Sequence, residues 1–212
     1  MPIGVPRVGY RLPGDVSAMW VDLYNRLYRD RVLFLASDLD DELANQLVGI
    51  MTYLNIENPT ERIFLYINSL GGAITCGLSV FDVMNHIAPP VSTICVGTAA
   101  SMASFVLAGG DRGNRVILPH ARVMVHQPAG GSKGQGSDII REAGEIQRLK
   151  IRVAEIYAER TFMSFTRVAE EIDRDIFHSP QSAAKMGLVD QVIKHPDQFT
   201  TEGELPLPLF EC

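Results

Sequence analysis

The sequence predicts a single α/β domain. Apolar strand-like runs alternate with amphipathic helical segments along most of the chain, which is typical of a sheet built through right-handed crossovers. A length of 212 residues suits one domain rather than two. With 46% hydrophobic and 21% charged residues, the composition is that of a globular protein able to bury a sizeable core.

The charge and hydropathy pattern excludes several functions. The net charge is −6 and no run of Lys and Arg forms a basic stripe, which argues against nucleic acid as a partner. No apolar run approaches the roughly 18 to 20 residues of a membrane span. The start, Met1–Pro6, lacks the charged and apolar regions of a signal peptide, so we expect the chain to work in the compartment where it is made.

The cysteines indicate neither a metal site nor a disulfide framework. Cys76, Cys95 and Cys212 fit no zinc pattern, and their number is odd. Cys76 and Cys95 lie in apolar stretches and are expected to be small core residues.

The first half of the chain predicts three strands separated by helices. Residues 1–18 are rich in Pro and Gly and predict an extended or mobile arm. A helix over Trp20–Arg29 precedes a strand at Val32–Leu35, and Asp40 can cap the next helix. That helix places its apolar residues on one face: Leu43, Leu47, Ile50, Met51 and Leu54.

Two strand-to-helix units follow. The strand Ile63–Ile67 leads through a Gly-Gly pair to a helix that starts near Gly72 and stops at Pro89-Pro90. The strand Val91–Val96 leads to a helix of small residues that runs on from Ser101.

The second half begins with short strands at 116–118 and 123–125 and a Gly-rich segment, Gly130–Gly136. A long amphipathic helix is predicted from near Asp138.

A shorter helix follows at Phe165–Ile172. Ser179-Pro180 opens a last helix that ends at Gly187, before a strand at Leu188–Ile193. Residues 195–212 indicate a tail.

Ser101 is a candidate nucleophile. It lies at a strand-to-helix turn among alanines, where small neighbours admit a substrate carbonyl and the helix N-terminus favours developing negative charge. A plain helix N-cap explains the same position equally well. Ser104 is the rival nucleophile, but it lies one turn inside the helix, where it is expected to be packed.

Gly71-Gly72 also follows a strand and precedes a helix. Glycines there can turn backbone N–H groups toward an anion or oxyanion. On the residues alone, a tight turn without function remains the favoured interpretation.

A serine nucleophile needs a base. The chain has five histidines: His86, His120, His126, His178 and His195. Only His126 ends an apolar strand and enters a loop, the place where active sites of α/β folds gather. On the residues alone, His126 could equally be a buried core histidine with its hydrogen bonds satisfied.

The third member of a triad would be a carboxylate that fixes the histidine tautomer. The chain has 25 acidic residues, and both Asp175 and Asp190 flank apolar stretches. The residues alone do not choose between them.

Five segments in fixed order resemble the ClpP family, the proteolytic subunits of Clp proteases. They are 66–72 (YINSLGG), 93–103 (TICVGTAASMA), 119–128 (PHARVMVHQP), 134–138 (GQGSD) and 173–179 (DRDIFHS). The resemblance covers about residues 20 to 194 and is strongest for the plastid-encoded and cyanobacterial branch.

The resemblance implies a ClpP/crotonase-type fold of repeated βαβ units, with a protruding strand-helix handle at about 130–160. It assigns the nucleophile to Ser101, the general base to His126 and the third triad member to Asp175. The oxyanion donors correspond to the backbone N–H groups of Gly72 and Met102. Extended substrate would pair with the backbone at 71–74 and 130–136.

The resemblance also implies two stacked seven-membered rings, homomeric or mixed with ClpP and ClpR paralogues. Gln135, Asp138 and Arg174 correspond to residues that sense this assembly. Because Arg174 adjoins Asp175, assembly could orient the triad.

A hexameric AAA+ unfoldase is the expected partner, feeding unfolded polypeptide through a pore lined by residues 1–18. Its docking pocket corresponds to six apolar strand residues: Phe64, Tyr66, Ile94, Val96, Val116 and Leu118. ATP would be used by that partner, since this chain has no P-loop pattern and needs no cofactor. The expected location is the plastid stroma, with bacterial cytoplasm as the alternative.

Two residues depart from the family pattern. Leu70 replaces a proline beside Gly71-Gly72, which could loosen that loop. Phe162 replaces a helix-ending glycine, so a different exit from the long helix is expected.

Two other functions remain open. A catalytically silent ClpR-like ring subunit would lack triad residues, all of which are present here. A crotonase-type acyl-CoA enzyme would share the fold, although such enzymes do not use a Ser–His pair at these motif positions.

Overall fold

The computed structural model describes residues 4–11 and 19–194. Near the N-terminus, strand β1 (Arg7–Tyr10) pairs antiparallel with β2 (Met19–Asp22), and helix α1 (Leu23–Arg29) follows. The Asp22 carboxylate caps α1 by accepting the Tyr24 N–H at 2.8 Å. The prediction of a helix from Trp20 is therefore wrong over its first three residues. The predicted arm contains a paired strand at β1, whereas residues 1–3, 12–18 and the tail at 195–212 lie outside the described part.

One mixed sheet forms the centre of the molecule, which confirms the predicted α/β class. Five strands run parallel in the order β3 (Val32–Leu35), β4 (Ile63–Ser69), β5 (Val91–Ala100), β6 (Arg115–Ile117) and β9 (Gln191–Val192). Strand β7 (Arg122–Val125) runs parallel to β5, and β8 (Ile176–His178) runs antiparallel to β7.

Within residues 19–194, six helices follow α1. They are α2 (Asp41–Glu57), α3 (Ile74–His86), α4 (Met102–Ala108), α5 (Gly136–Thr161), α6 (Phe165–Glu171) and α7 (Pro180–Met186). Asp40 caps α2 as predicted, accepting the Leu43 N–H at 2.9 Å. No helix among residues 4–11 and 19–194 is both long and apolar enough to span a membrane.

Strand β5 is longer than predicted because it bends instead of ending at Gly97. Gly97 has φ = 89°, a conformation that glycine adopts without steric cost. Before the bend β5 pairs with β6, and after it Thr98–Ala100 pairs with β7. The bend therefore lets β5 pair with two neighbouring strands, and it places the carboxyl end of β5, followed by Ser101, beside β7.

Helix α5 extends away from this core. Every residue from 131 to 145 is exposed, whereas Val153, Ile156 and Tyr157 near its carboxyl end are buried. The segment Gly130–Gly136 forms no strand in the single chain, so the strand part of the predicted handle is not present. The helix part of the handle is present, and among the described residues nothing covers its amphipathic amino-terminal half.

Candidate active site

Ser101 occupies a strained turn between β5 and α4. Its backbone angles are φ = 54° and ψ = −126°, a region that costs a non-glycine residue on the order of 1–3 kcal/mol. The Ser101 N–H donates to the Met124 carbonyl at 3.0 Å. Ser101 is the N-cap residue of α4, as one interpretation predicted, but its hydroxyl accepts no helix N–H. The side chain is therefore not used for capping, and its oxygen is available for chemistry.

The register of three strands brings the candidate triad together. Ala100 of β5 pairs with Met124 of β7, which places Ser101 one step from the end of that ladder. Val125 of β7 pairs with Ile176 of β8. In an antiparallel pair the next residues across are His126 and Asp175.

The side chains meet at hydrogen-bonding distance. His126 Nε2 lies 2.8 Å from Ser101 Oγ, and His126 Nδ1 lies 3.2 Å from Asp175 Oδ1. With the Nδ1 proton donated to Asp175, Nε2 can accept the serine proton. The arrangement can therefore convert a hydroxyl into a nucleophile.

Asp190, the other carboxylate that the sequence left open, lies elsewhere and pairs with a buried arginine. Its Oδ1 accepts from Arg115 Nη2 at 2.5 Å and its Oδ2 from Arg115 Nε at 3.0 Å. Burial opposes ionisation of Asp190, but the hydrogen bonds and charge of Arg115 outweigh it and hold the pKa of the carboxyl below its ordinary value. Asp190 is thus a structural residue.

Among the other described histidines, none approaches Ser101. His86 and His120 are exposed. His178 is buried in β8, where its Nδ1 contacts Ser182 Oγ at 3.2 Å and desolvation lowers its pKa. His195 lies outside the described residues.

The Gly-Gly pair packs directly against the nucleophile. A Cβ on Gly71, whose φ is 96°, would lie 2.8 Å from Ser101 Cβ and 2.9 Å from the Met102 nitrogen. A Cβ on Gly72 would lie 2.1 Å from the Leu39 carbonyl oxygen. Neither position tolerates a side chain unless the surrounding backbone shifts, so the close packing against Ser101 and Leu39 requires glycine at both positions.

A cavity of about 170 Å³ opens beside Ser101 and His126. Gly72 and Met102 border it, and its remaining lining is mostly apolar: Ile74, Pro128, Ala129, Val153 and Tyr157. Such a cavity suits an apolar side chain of a substrate. Val153 and Tyr157 carry no sequence signal that identifies them as cavity residues, because any core-facing helix residue has the same spacing.

Ser104 is packed, as the sequence predicted for the rival nucleophile. Its side chain is fully buried, and its hydroxyl contacts the Ser101 carbonyl and the Tyr157 hydroxyl, each at 2.7 Å.

Lys150 of α5 ties together the two loops that flank the triad, a link that no sequence signal revealed. Its Nζ donates to Gln127 Oε1 at 2.6 Å and lies 3.6 Å from Asp173 Oδ1. Gln127 Nε2 in turn donates to the Asp173 carbonyl at 3.0 Å.

The predicted assembly residues do not meet within one chain. Asp138 pairs with Arg141 at 2.7 Å, and Arg174, 88% exposed, lies 3.7 Å from Asp173. Gln135 precedes α5 without a side-chain cap bond.

Five of the six predicted docking residues form one surface, here called the apolar sheet face. Ile94 and Val116 are buried there with Ile193, and Phe64, Tyr66 and Val96 are half-buried against them. Leu118, the sixth predicted residue, is half-buried and packs on the main core instead. Tyr66 also stacks on Phe34 at 5.6 Å between ring centroids.

The two family departures are accommodated differently. Leu70 is 70% exposed beside the Gly-Gly pair. Phe162 adopts the left-handed cap conformation itself, with φ = 60° and ψ = 12°, and its ring lies under Arg112 at 4.2 Å. The expectation of a different helix exit is therefore wrong.

Titratable clusters elsewhere give no metal site: within residues 4–11 and 19–194, no three His, Cys, Asp or Glu side chains are grouped to hold an ion. Cys76 and Cys95 are buried free thiols, as predicted, and burial raises the pKa of Cys95 to about 12. Cys212 lies outside the described residues.

Comparison with known proteins agrees with this geometry. The family model described as Clp protease matches residues 15–196. The chain belongs to the Clp protease family. A Clp relative from Chlorella vulgaris, named ATP-dependent Clp protease proteolytic subunit, is 62% identical over 91% of this chain and 96% of its own length. Relatives with the same name from Oltmannsiellopsis viridis and Ostreococcus tauri are 60% and 57% identical over 91% of this chain, and over 98% and 96% of their own lengths.

Proposed function

We propose that this chain is the proteolytic subunit of an ATP-dependent Clp protease and acts as a serine endopeptidase on unfolded polypeptides. The observation that carries the proposal is the continuous contact from Ser101 Oγ through His126 to Asp175. It supports Ser101 as nucleophile, His126 as general base and Asp175 as the group that orients the imidazole. The silent ClpR-like and crotonase-type alternatives are not favoured by the relatives' names.

The chemistry follows from these positions. His126 Nε2 takes the Ser101 proton as the oxygen attacks the peptide carbonyl, and the imidazolium then protonates the leaving amine. Water, activated by the same histidine, releases the acyl group from Ser101. Asp175 remains ionised and stabilises the imidazolium.

Backbone N–H groups of Gly72 and Met102 would hold the tetrahedral oxyanion. Both residues border the cavity beside Ser101, and Met102 begins α4, where helix amides lack internal partners. No cofactor enters this scheme.

Clp proteases work as barrel-like oligomers with a Clp ATPase, and for this chain we propose two stacked seven-membered rings, homomeric or mixed with paralogues. The exposed amino-terminal half of α5 supports a ring–ring contact. Gln135, Asp138 and Arg174, unpaired with each other here, would act between subunits. The apolar sheet face would receive the hexameric AAA+ unfoldase. Relatives from algae and plants support a plastid location, and we propose the stroma.

The deciding experiment labels the purified assembled protein with a fluorophosphonate probe and measures hydrolysis of a fluorogenic peptide. We expect labelling at Ser101, and loss of both labelling and hydrolysis in Ser101→Ala. Ser79→Ala, which changes an exposed helix serine bonded to the Cys76 carbonyl, is the matched control and should keep both. An assembled ring that the probe does not label would overturn the proposal and favour a silent subunit.

A second experiment tests the coupling to assembly. Arg174→Ala should abolish double-ring formation and peptide hydrolysis together, measured by native mass spectrometry and peptidase assay. Loss of the double ring with full peptidase activity would refute the coupling.

A further inference from the structure

Three hydrogen bonds converge on the Ser101 carbonyl oxygen. The Ser104 N–H donates to it at 3.0 Å, the Phe105 N–H at 3.3 Å and the Ser104 hydroxyl at 2.7 Å. A strained backbone conformation persists only where several surrounding contacts hold it in place. These bonds fix the carbonyl end of the strained residue, as the bond to Met124 fixes its amide end.

The number of available protons decides which hydroxyl donates in each of these hydrogen bonds. Ser104 has a single hydroxyl proton, and the Ser101 carbonyl can only accept. That proton therefore goes to Ser101, and the 2.7 Å contact between Ser104 and Tyr157 must use the tyrosine proton. The order is Tyr157 to Ser104 to Ser101.

Tyr157 is well placed as a permanent donor. It is only 4% exposed and meets Phe105 edge to face at 5.5 Å between centroids, so its ring cannot swing away. Burial raises the pKa of its phenol, which therefore keeps its proton at neutral pH.

The anchored carbonyl shares a peptide plane with the Met102 N–H. In a trans peptide the C=O and the N–H point in opposite directions within one rigid plane. Holding the Ser101 oxygen against Ser104 thus aims the Met102 N–H the other way, away from Ser104, and Met102 is a residue that borders the cavity. Donors at the oxygen also polarise the peptide and strengthen its N–H as a donor.

We propose that Tyr157 and Ser104 are positioning residues that orient the oxyanion-binding peptide of Ser101 and Met102. The inference rests on the proposed function, because it needs Ser101 to act as a nucleophile. The Tyr157 ring borders the cavity, but its hydroxyl bonds to Ser104, and both hydroxyls act through the peptide that Ser104 anchors.

The test compares Tyr157→Phe, Ser104→Ala and the double variant in the assembled full-length protein, with Tyr53→Phe as control. The Tyr53 hydroxyl contacts Glu57 on the exposed face of α2. We expect each test variant to lower kcat for a fluorogenic peptide about tenfold, a fraction of the loss from removing an oxyanion donor outright. KM should stay within about twofold, since oxyanion stabilisation acts in the transition state.

Two further readings separate positioning from packing. Affinity for a peptide boronate, which mimics the tetrahedral intermediate, should fall by the same factor as kcat. The double variant should lose no more than either single variant, because the two hydroxyls form one chain. A loss confined to KM, an additive double variant, or Tyr157→Phe with unchanged kcat would overturn the inference.

The proposed function has its own readout in the same assay. An active unmodified chain and an inactive Ser101→Ala uphold it whatever Tyr157→Phe does. An inactive unmodified ring would end both proposals. If one single variant fails to assemble, the other single variant must still show the lower kcat with nearly unchanged KM.

Discussion

His126 lies directly across from Asp175 where β7 ends and β8 begins, one step beyond the Val125–Ile176 pair. The 3.2 Å contact between Nδ1 and Oδ1 is therefore set by sheet register. A one-residue slip of β8 would turn the carboxylate to the opposite face. The triad geometry thus depends on a strand of only three residues.

Replacing Asp175 tests this relationship. Asp175→Asn keeps the shape but favours the wrong histidine tautomer, so we expect kcat to fall by about 10²- to 10⁴-fold with little change in KM. Asp173→Asn, in the same loop with a carboxylate 3.6 Å from Lys150, should stay within about twofold. Steady-state peptide hydrolysis measures both, and equal losses would contradict the assignment.

The fold was predictable wherever periodicity was strong. The strand at Ile63–Ile67, the helix capped by Asp40 and the helix opened by Ser179 all appear within a few residues of their predicted bounds. Strand β8 was missed because three residues carry no recognisable alternation. Strand β1 was missed because Gly and Pro around it indicate a loop.

The site was predictable as a set of residues but not as a geometry. Ser101 and His126 stand at strand ends, which sequence can indicate, whereas choosing Asp175 over Asp190 required family resemblance. The reason Asp190 is not catalytic lies in its pairing with Arg115, 75 positions away. The link from Tyr157 through Ser104 spans 53 positions and has no local signature.

Gly71 should be intolerant of any side chain. Gly71→Ala adds a Cβ 2.7 Å from the Ala100 carbonyl oxygen and 2.9 Å from the Met102 nitrogen, at φ = 96°. The turn must shift, so we expect peptidase activity and fluorophosphonate labelling to fall at least about tenfold. Gly49→Ala lies in α2 with open space around its Cβ and should retain full activity. An active Gly71→Ala ring would show that the turn adapts.

Phe162 offers a measure of cap strain. Both Phe162→Gly and Phe162→Ala remove the ring under Arg112, but only glycine relieves the positive φ. We expect the glycine variant to be more stable than the alanine variant by about 1 kcal/mol. Urea unfolding of the two proteins gives this difference directly, and an alanine variant of equal or greater stability would mean that the helix end rearranges.

The apolar sheet face should matter only when the partner ATPase is present. Tyr66→Ala removes a half-buried ring from this face, far from the triad in the sheet. We expect ATP-dependent degradation of a folded protein to fall at least about tenfold, since interface aromatics commonly dominate binding. Hydrolysis of a short peptide should change less than about twofold. Phe165→Ala on α6, 45% exposed, should leave both activities unchanged, and equal loss of both activities in Tyr66→Ala would indicate damage to the fold instead.

The Arg115–Asp190 pair predicts a pH-dependent stability. Asp190→Asn leaves the fully buried Arg115 without its carboxylate and should cost about 3 kcal/mol at pH 7. Because the pKa of Asp190 is lowered in the folded state, its contribution is complete above the unfolded value of about 3.9 and is lost as pH falls through the folded value. The difference between the two proteins should therefore shrink at about pH 3 in urea unfolding. Glu61→Gln is the matched control, because Arg31 is also buried and its Nε lies 3.0 Å from the exposed Glu61 carboxylate. Arg31 keeps its hydrogen bonds to the Leu54, Asn58 and Glu61 carbonyls in this variant, so the substitution should cost less than about 1 kcal/mol. A pH-independent difference for Asp190→Asn would mean that shape, not charge, makes this pair stabilising.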